Sequence, residues 1–193
     1  LNANFLFIKK ENDIYNNLIN KIENYANLII KVSDVIARID VAQSWSNYSI
    51  KYNAVRPTLL KNQDFSVIDG RHPSVEKSHS EKFISNSCIL KEEDNKFFKL
   101  ITGPNMSGKS TYLRQNAIIL IMAQAGGFCL AKEVTLGVCD KLFCRVGSGD
   151  ELAKGNSTFM VEMLETANIL NSATSKSLVI LDEIGRGTST FDG

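Results

Sequence analysis

Gly103, Gly108, Lys109, Ser110 and Thr111 stand in the order G-x-x-x-x-G-K-[ST], and Asp182 and Glu183 close the apolar run Leu178-Val179-Ile180-Leu181. The first pattern builds a loop whose backbone N–H groups wrap phosphates, with an ammonium that reaches the β- and γ-oxygens. Gly103 and Gly108 permit backbone angles and a close approach that a Cβ would block, and Pro104, Asn105, Met106 and Ser107 form the rest of the cradle. Amides at the start of the following helix, aided by its dipole, attract phosphate. Lys109 then offsets the γ-phosphate charge, Ser110 offers its hydroxyl to Mg²⁺, and Thr111 lies one step on, near the α-phosphate. Asp182, at a strand end, suits a Mg²⁺ held through water, while Glu183 points differently and can polarise an attacking water as general base. Either carboxylate alone would read equally as the solvated end of a strand. Paired with the loop, the two imply hydrolysis of a nucleoside triphosphate.

The chemistry needs a strand, a loop and a helix in that order. Lys96–Thr102 reads as the strand feeding the loop, and Gly108 to about Gln124 as the helix after it, with Leu113, Ala117, Leu120 and Ile121 on its buried face. Leu142–Val146 reads as another strand, and Thr158 to about Leu170 as a helix with Phe159, Met163, Ala167 and Leu170 on one side. Ser177–Asp182 is near-continuously apolar, as in the middle of a parallel sheet covered on both faces. Phe65 to Asp69 alternates as a short strand that turns at Gly70. From Ile14 to Ile39 a heptad beat places Leu18, Tyr25, Val32 and Ile39 on one stripe, without Gly or Pro, which predicts one long helix packed along one side. That helix fits a lever between domains or an ordinary bundle member. Arg56-Pro57 ends it, because proline pushes the preceding residue toward extended geometry. The expected organisation is the end of a helical lever or core domain over 1–57, then an α/β nucleotide-binding domain with a mostly parallel sheet over 58–193.

Apolar residues at 44% and charged residues at 22% describe a globular chain, and a net charge of +1 gives no global basic field to attract nucleic acid. The four cysteines lack C-x-x-C spacing and read as reduced, buried thiols of a cytosolic protein. No segment reads as a signal peptide or a membrane span. Leu1 in place of an initiator Met, and an end at Gly193 before the flanking strands of such a sheet, lead us to expect a piece of a longer protein.

Three blocks closely resemble the MutS family of DNA mismatch-repair ATPases: Ile101–Gln115 around the phosphate loop, Gly155-Asn156-Ser157-Thr158-Phe159-Met160-Val161-Glu162-Met163, and Leu181–Gly193. Gly70-Arg71-His72-Pro73 and Val55-Arg56-Pro57 also look like the family, so the resemblance covers roughly 32–193. Ser107 stands where many members carry glycine. The resemblance implies an ABC-like ATPase domain with ATP and Mg²⁺, working in a homodimer that sandwiches each nucleotide between two subunits. It implies that Ser157 reaches the γ-phosphate held by the partner chain, where residue types alone favour helix capping by Asn156 or Ser157. It also implies that Phe83, with Ile84 beside it, stacks on adenine, where an aromatic more often serves packing. Asn105 would contact phosphate or the catalytic water, and 185–193 would sense the other subunit's site. The family's γ-phosphate-sensing histidine would lie beyond Gly193, and His72, before Pro73, reads as a structural turn residue. The implied setting is a bacterial cytoplasm, with mismatched double-stranded DNA bound by regions outside this chain and a MutL-type protein downstream. Other ABC-like ATPases carry a Leu-Ser-Gly-Gly-Gln type signature where this chain has Gly-Asn-Ser-Thr-Phe. A MutS-like relative without a mismatch reader, another ABC-class ATPase acting on DNA, or a dimerisation module remain the alternatives.

Overall fold

The structure is a computed structural model that describes residues 2–78, 83–91, 97–146 and 158–185. Its elements run α1 (Asn2–Glu23), α2 (Ala26–Tyr52), β1 (Thr58–Leu60), β2 (Phe65–Gly70), α3 (Pro73–Ser78), β3 (Asn86–Leu90), α4 (Lys109–Gln124), β4 (Glu133–Gly137), β5 (Leu142–Arg145), α5 (Thr158–Ser172) and β6 (Leu178–Leu181). Contacts divide the chain into two compact units, Leu1–Asn47 and Tyr48–Gly193. No helix among the described residues is long and apolar enough to cross a membrane.

The first unit is helical, but the single helix expected over 14–39 is interrupted. Asn24 and Tyr25 form a turn between α1 and α2. There the Asn24 side-chain amide donates to the Asn20 carbonyl at 3.1 Å, and the Tyr25 N–H donates to the Ile22 carbonyl at 2.8 Å, a tightened three-residue turn. Asparagine offers the backbone this alternative partner, which is why it weakens helix interiors. The heptad stripe is exposed throughout: Leu18, Val32 and Ile39 are 53%, 48% and 61% accessible, and α2 buries no residue.

In the second unit β1, β4, β2 and β3 lie in that order in a mixed sheet, with β1 parallel to β4 and β2 antiparallel to both β4 and β3. β5 and β6 form a separate parallel pair, Leu142 opposite Leu178 through Arg145 opposite Leu181. The expected mostly parallel sheet is therefore not what the described strands form. Period-two alternation explains why β2 buries both Phe65 and Val67, but Asp69, next on that face, is exposed. The alternation ends because Asp69 is left-handed (φ 49°), and the β2–β3 register shifts between Val67 and Gly70. Gly70 itself completes β2 rather than turning it. Against Phe65, Val67, Val134 and Leu136 of this sheet pack Ile119, Leu120 and Ala123 of α4, together with Cys129.

Three further expectations are corrected. Residues 97–104 do not form a strand; Phe98 and Leu100 remain 82% and 76% exposed. An extended segment becomes a strand only when a neighbour takes its N–H and C=O groups, and β6 is laddered to β5 alone among the described strands. For the same reason β6 is not a covered central strand: only Ile180 in it is buried. On α4, Ile121 faces solvent at 56% exposure while Ile119 is fully buried, and on α5, Leu170 at 76% and Ala167 are exposed while Ile169 and Glu162 are buried. Of the cysteines, Cys88 and Cys129 are buried, and burial pushes the Cys129 thiol up to about 12; Cys139 is half-buried and Cys144 exposed.

Candidate functional site

The phosphate loop grows out of α4. Gly108 is the residue before the helix, left-handed at φ 90°, and its carbonyl accepts the Tyr112 N–H at 2.8 Å, the first helical bond. A Cβ built there would meet nothing within 4 Å, so it would project into open space while forcing an L residue into a left-handed conformation. Having no side chain, Gly108 cannot cap the N–H groups of the first turn, which a helix start leaves without intrahelical partners. The Lys109 ammonium folds back over the loop, donating to the carbonyls of Gly103 at 2.8 Å and Pro104 at 2.9 Å. Met106 is left-handed (φ 63°) and wholly exposed, and the Ser107 N–H donates to the Pro104 carbonyl at 3.3 Å.

The first turn of α4 is anchored to the sheet. The Tyr112 hydroxyl donates to the Ser87 carbonyl of β3 at 3.1 Å and accepts from the Lys99 ammonium at 3.1 Å. Burial and the neighbouring Cys88 thiol push its pKa well above 10. Behind it, Gln115 and Asn116 are buried on the same helix.

The acidic turn is held from elsewhere. The Asp182 N–H donates to the Arg145 carbonyl at 2.8 Å, one step past the end of the β5–β6 ladder, and Asp182 is 7% exposed. Glu183 is exposed and left-handed at φ 55°. Two residues later the Gly185 N–H donates to Oε1 of Glu162, which is buried on α5, at 2.7 Å. Arg145 also pairs with Glu165 of α5 at 3.0 Å.

These two constructions meet. A pocket of about 340 Å³ is lined by Asn105, Met106, Gly108, Lys109, Ser110, Thr111 and Glu183. A larger, mainly apolar cavity of about 740 Å³ carries Lys109, Asp182 and Glu183 on its wall beside Phe97, Leu100, Leu113 and Ile180. The loop, the lysine and both candidate hydroxyls border the smaller cavity and both carboxylates the larger, and Lys109 and Glu183 line both. An ammonium, a hydroxyl, unbonded helix-start amides and a buried carboxylate are the donor set that a magnesium-bound triphosphate requires. Ser110 lines the smaller cavity and Asp182 the larger, a hydroxyl and a carboxylate of the kind that binds Mg²⁺.

Phe83 is half-buried and Ile84 is 82% exposed; neither lines the two cavities. Ser157 and residues 186–193 lie outside the described residues. Among the described residues no cluster of three His, Cys, Asp or Glu side chains is placed to hold a metal by itself. His72 is a turn residue: it is buried, and its Nδ1 accepts the N–H groups of Ser74 and Val75 at 3.3 and 3.4 Å, capping α3. Burial first, then the charge of Arg114, hold its pKa below the ordinary 6.5. Arg71 beside it donates to the carbonyls of Tyr52 and Asn53, at 2.7 and 3.2 Å, and pairs with Glu76 at 2.6 Å, closing the C-terminal end of α2. Glu162 and Arg145 escaped the sequence reading. The available signal was a glutamate three residues after Phe159 and seven before Ile169, on one helix face with them.

The family model for MutS domain V matches residues 99–193. The DNA mismatch repair protein MutS of Clostridium tetani is 47% identical over 194 aligned residues, covering 100% of this chain and 22% of that protein. That of Methanococcoides burtonii is 47% identical over 183 residues, 95% of this chain and 20% of its own length. That of Lawsonia intracellularis is 51% identical over 166 residues, 86% of this chain and 18% of its own. The chain therefore spans about a fifth of the length of these relatives.

Proposed function

Because this chain belongs to the MutS family of DNA mismatch repair proteins and carries domain V over 99–193, we propose that it is the ATP-binding and ATP-hydrolysing part of such a protein. The observation that carries the reading is the shared border of the phosphate loop and the acidic turn: Lys109 and Glu183 line both cavities, and Asp182 lines the larger with them. ATP is the substrate. Mg²⁺, when bound, neutralises phosphate charge and orients the β- and γ-oxygens.

The chain's own groups then divide the work. Amides of the loop and of the first turn of α4 bind phosphate oxygens, and the Lys109 ammonium exchanges the carbonyls of Gly103 and Pro104 for the β- and γ-phosphates. Glu183, exposed in the pocket, accepts a proton from the attacking water, and Asn105, which lines the same pocket, orients that water or the phosphate. Phe83 and Ile84 receive the adenine. Ser157 completes the site of a partner subunit in an ABC-like homodimer, in which the β5–β6 pair belongs to the parallel part of the sheet. The whole protein recognises mismatched DNA through regions outside this chain, signals to a MutL-type partner, and works in the cytoplasm. If ATP changes DNA affinity, DNA changes ATP affinity by the same factor.

The test uses the full-length protein that contains this chain. Lys109→Ala removes a charge-assisted contact and is expected to weaken ATP binding about 10- to 100-fold by calorimetry. Unchanged ATP affinity would refute the assignment. A MutS-like relative without a mismatch reader would keep the same ATP response and show no preference for a mismatched over a matched duplex.

A further inference from the structure

The four residues after β6, 182–185, include one left-handed non-glycine conformation that needs support. Glu183 is left-handed at φ 55° and Gly185 at φ 87°. For a residue with a Cβ such a conformation persists only where the surroundings over-determine it. One face of α5 is part of those surroundings. Glu162 and Glu165 stand three apart, neighbours on a helix surface. Oε1 of Glu162 accepts the Gly185 N–H at 2.7 Å, and Glu165 pairs at 3.0 Å with Arg145, whose carbonyl takes the Asp182 N–H at 2.8 Å. The two glutamates therefore bracket the segment 182–185 from both ends. Glu162 is 4% exposed, on the helix face of Phe159 and Ile169. A carboxylate placed there is costly unless its hydrogen bonds are made.

We infer that Glu162 is a positioning residue: through the Gly185 N–H it holds the left-handed turn that keeps Glu183 facing the phosphate loop, and so makes α5 the element that sets the general base. The inference rests on the ATPase reading of Glu183. It requires an acceptor at position 162 and does not require a charge, since an amide oxygen at the same place serves the same N–H. Movement of α5 along its own axis would pass directly to the turn. Nucleotide binding at the loop does not run through this bond.

The experiment compares Glu162→Gln with Glu162→Met in the full-length protein, two side chains of similar length that differ in the acceptor. Glu162→Met is expected to lower kcat about 10- to 100-fold while ATP affinity by calorimetry stays within about threefold, as displacement of a catalytic group predicts. Glu162→Gln is expected to restore kcat to within about threefold of the parent. Amide hydrogen exchange supplies a readout independent of turnover: the Gly185 N–H is protected in the parent and in Glu162→Gln, and exchanges faster in Glu162→Met. A Gly185 amide that exchanges at the unstructured rate in the parent protein overturns the inference, even if Glu162→Met proves too unstable to assay. So does a Glu162→Met protein with parental kcat, or a Glu162→Gln protein as slow as Glu162→Met. Absence of ATP turnover by the parent would instead refute the ATPase reading, a separate failure that leaves hydrogen exchange to decide whether the bond holds the turn.

Discussion

The phosphate loop and the acidic turn border the same space but are held by opposite means. The loop is a local construction: Lys109 bonds to carbonyls five and six residues back, Gly108 starts α4, and the helix supplies the amides. The acidic turn is held from a distance. Its amides reach Arg145 and Glu162, 37 and 23 positions earlier in the chain, on either side of the left-handed Glu183. A loop made from its own backbone stays in place when remote packing shifts. A turn suspended from other elements moves with them, which makes the acidic side the place where movement elsewhere can alter turnover without altering binding.

This contrast sets what each substitution should do. Glu183→Gln gives the largest effect on the acidic side: turnover is expected to fall about 100- to 10,000-fold, the share a general base supplies, with ATP affinity near parental. A variant that hydrolyses ATP at the parental rate in a steady-state assay would take that role from Glu183. Next comes the pedestal of the loop. Ile119→Ala removes a fully buried side chain of α4 and should cost about 2–5 kcal/mol in urea unfolding, whereas Ile121→Ala, on the exposed face, should stay within about 0.5 kcal/mol. Equal costs would mean that α4 packs by another face. Lys109→Ala should then act on ATP affinity and leave the melting temperature of the protein without nucleotide nearly unchanged, because its partners are exposed loop carbonyls.

The smallest effect concerns pH. Burial and Arg114 depress the folded-state pKa of His72 below 6.5, so the unfolded chain takes up the proton first. Stability from this group is fully present above about 6.5 and declines as pH falls from there toward the folded pKa. Protonation would also put a proton on the Nδ1 that accepts the Ser74 and Val75 amides. His72→Asn keeps a side-chain oxygen for the cap and should flatten the fall in melting temperature between pH 7 and pH 5. An unchanged slope would assign that pH dependence to other groups.

Helix and strand identity were largely legible because they depend on short spacings. The helices α4 and α5 and the strands β5 and β6 follow from local periodicity, and α5 and β6 begin within one residue of where the pattern puts them, whereas the strand expected over 96–102 does not form. Faces were less legible: Ile121 and Leu170 satisfy the helical spacing as well as Ile119 and Ile169, and only the sheet and the β5–β6 pair decide which of them is covered. The heptad stripe of the first unit predicts an apolar face without predicting what lies against it. Asn24, an ordinary polar residue in the sequence, interrupts the helix through one side-chain bond.

Residue type and spacing by themselves determined a glycine-bounded loop ahead of α4, the lysine that opens that helix and a carboxylate pair at a strand end, because backbone angles at glycine and the order of charges along a few residues are local properties. Tertiary structure alone decided that Glu162 is buried, that it takes the Gly185 amide, and that Arg145 takes the Asp182 amide. Those bonds join positions far apart in the chain, and no local rule ranks a glutamate on a helix as the support of a turn two elements away.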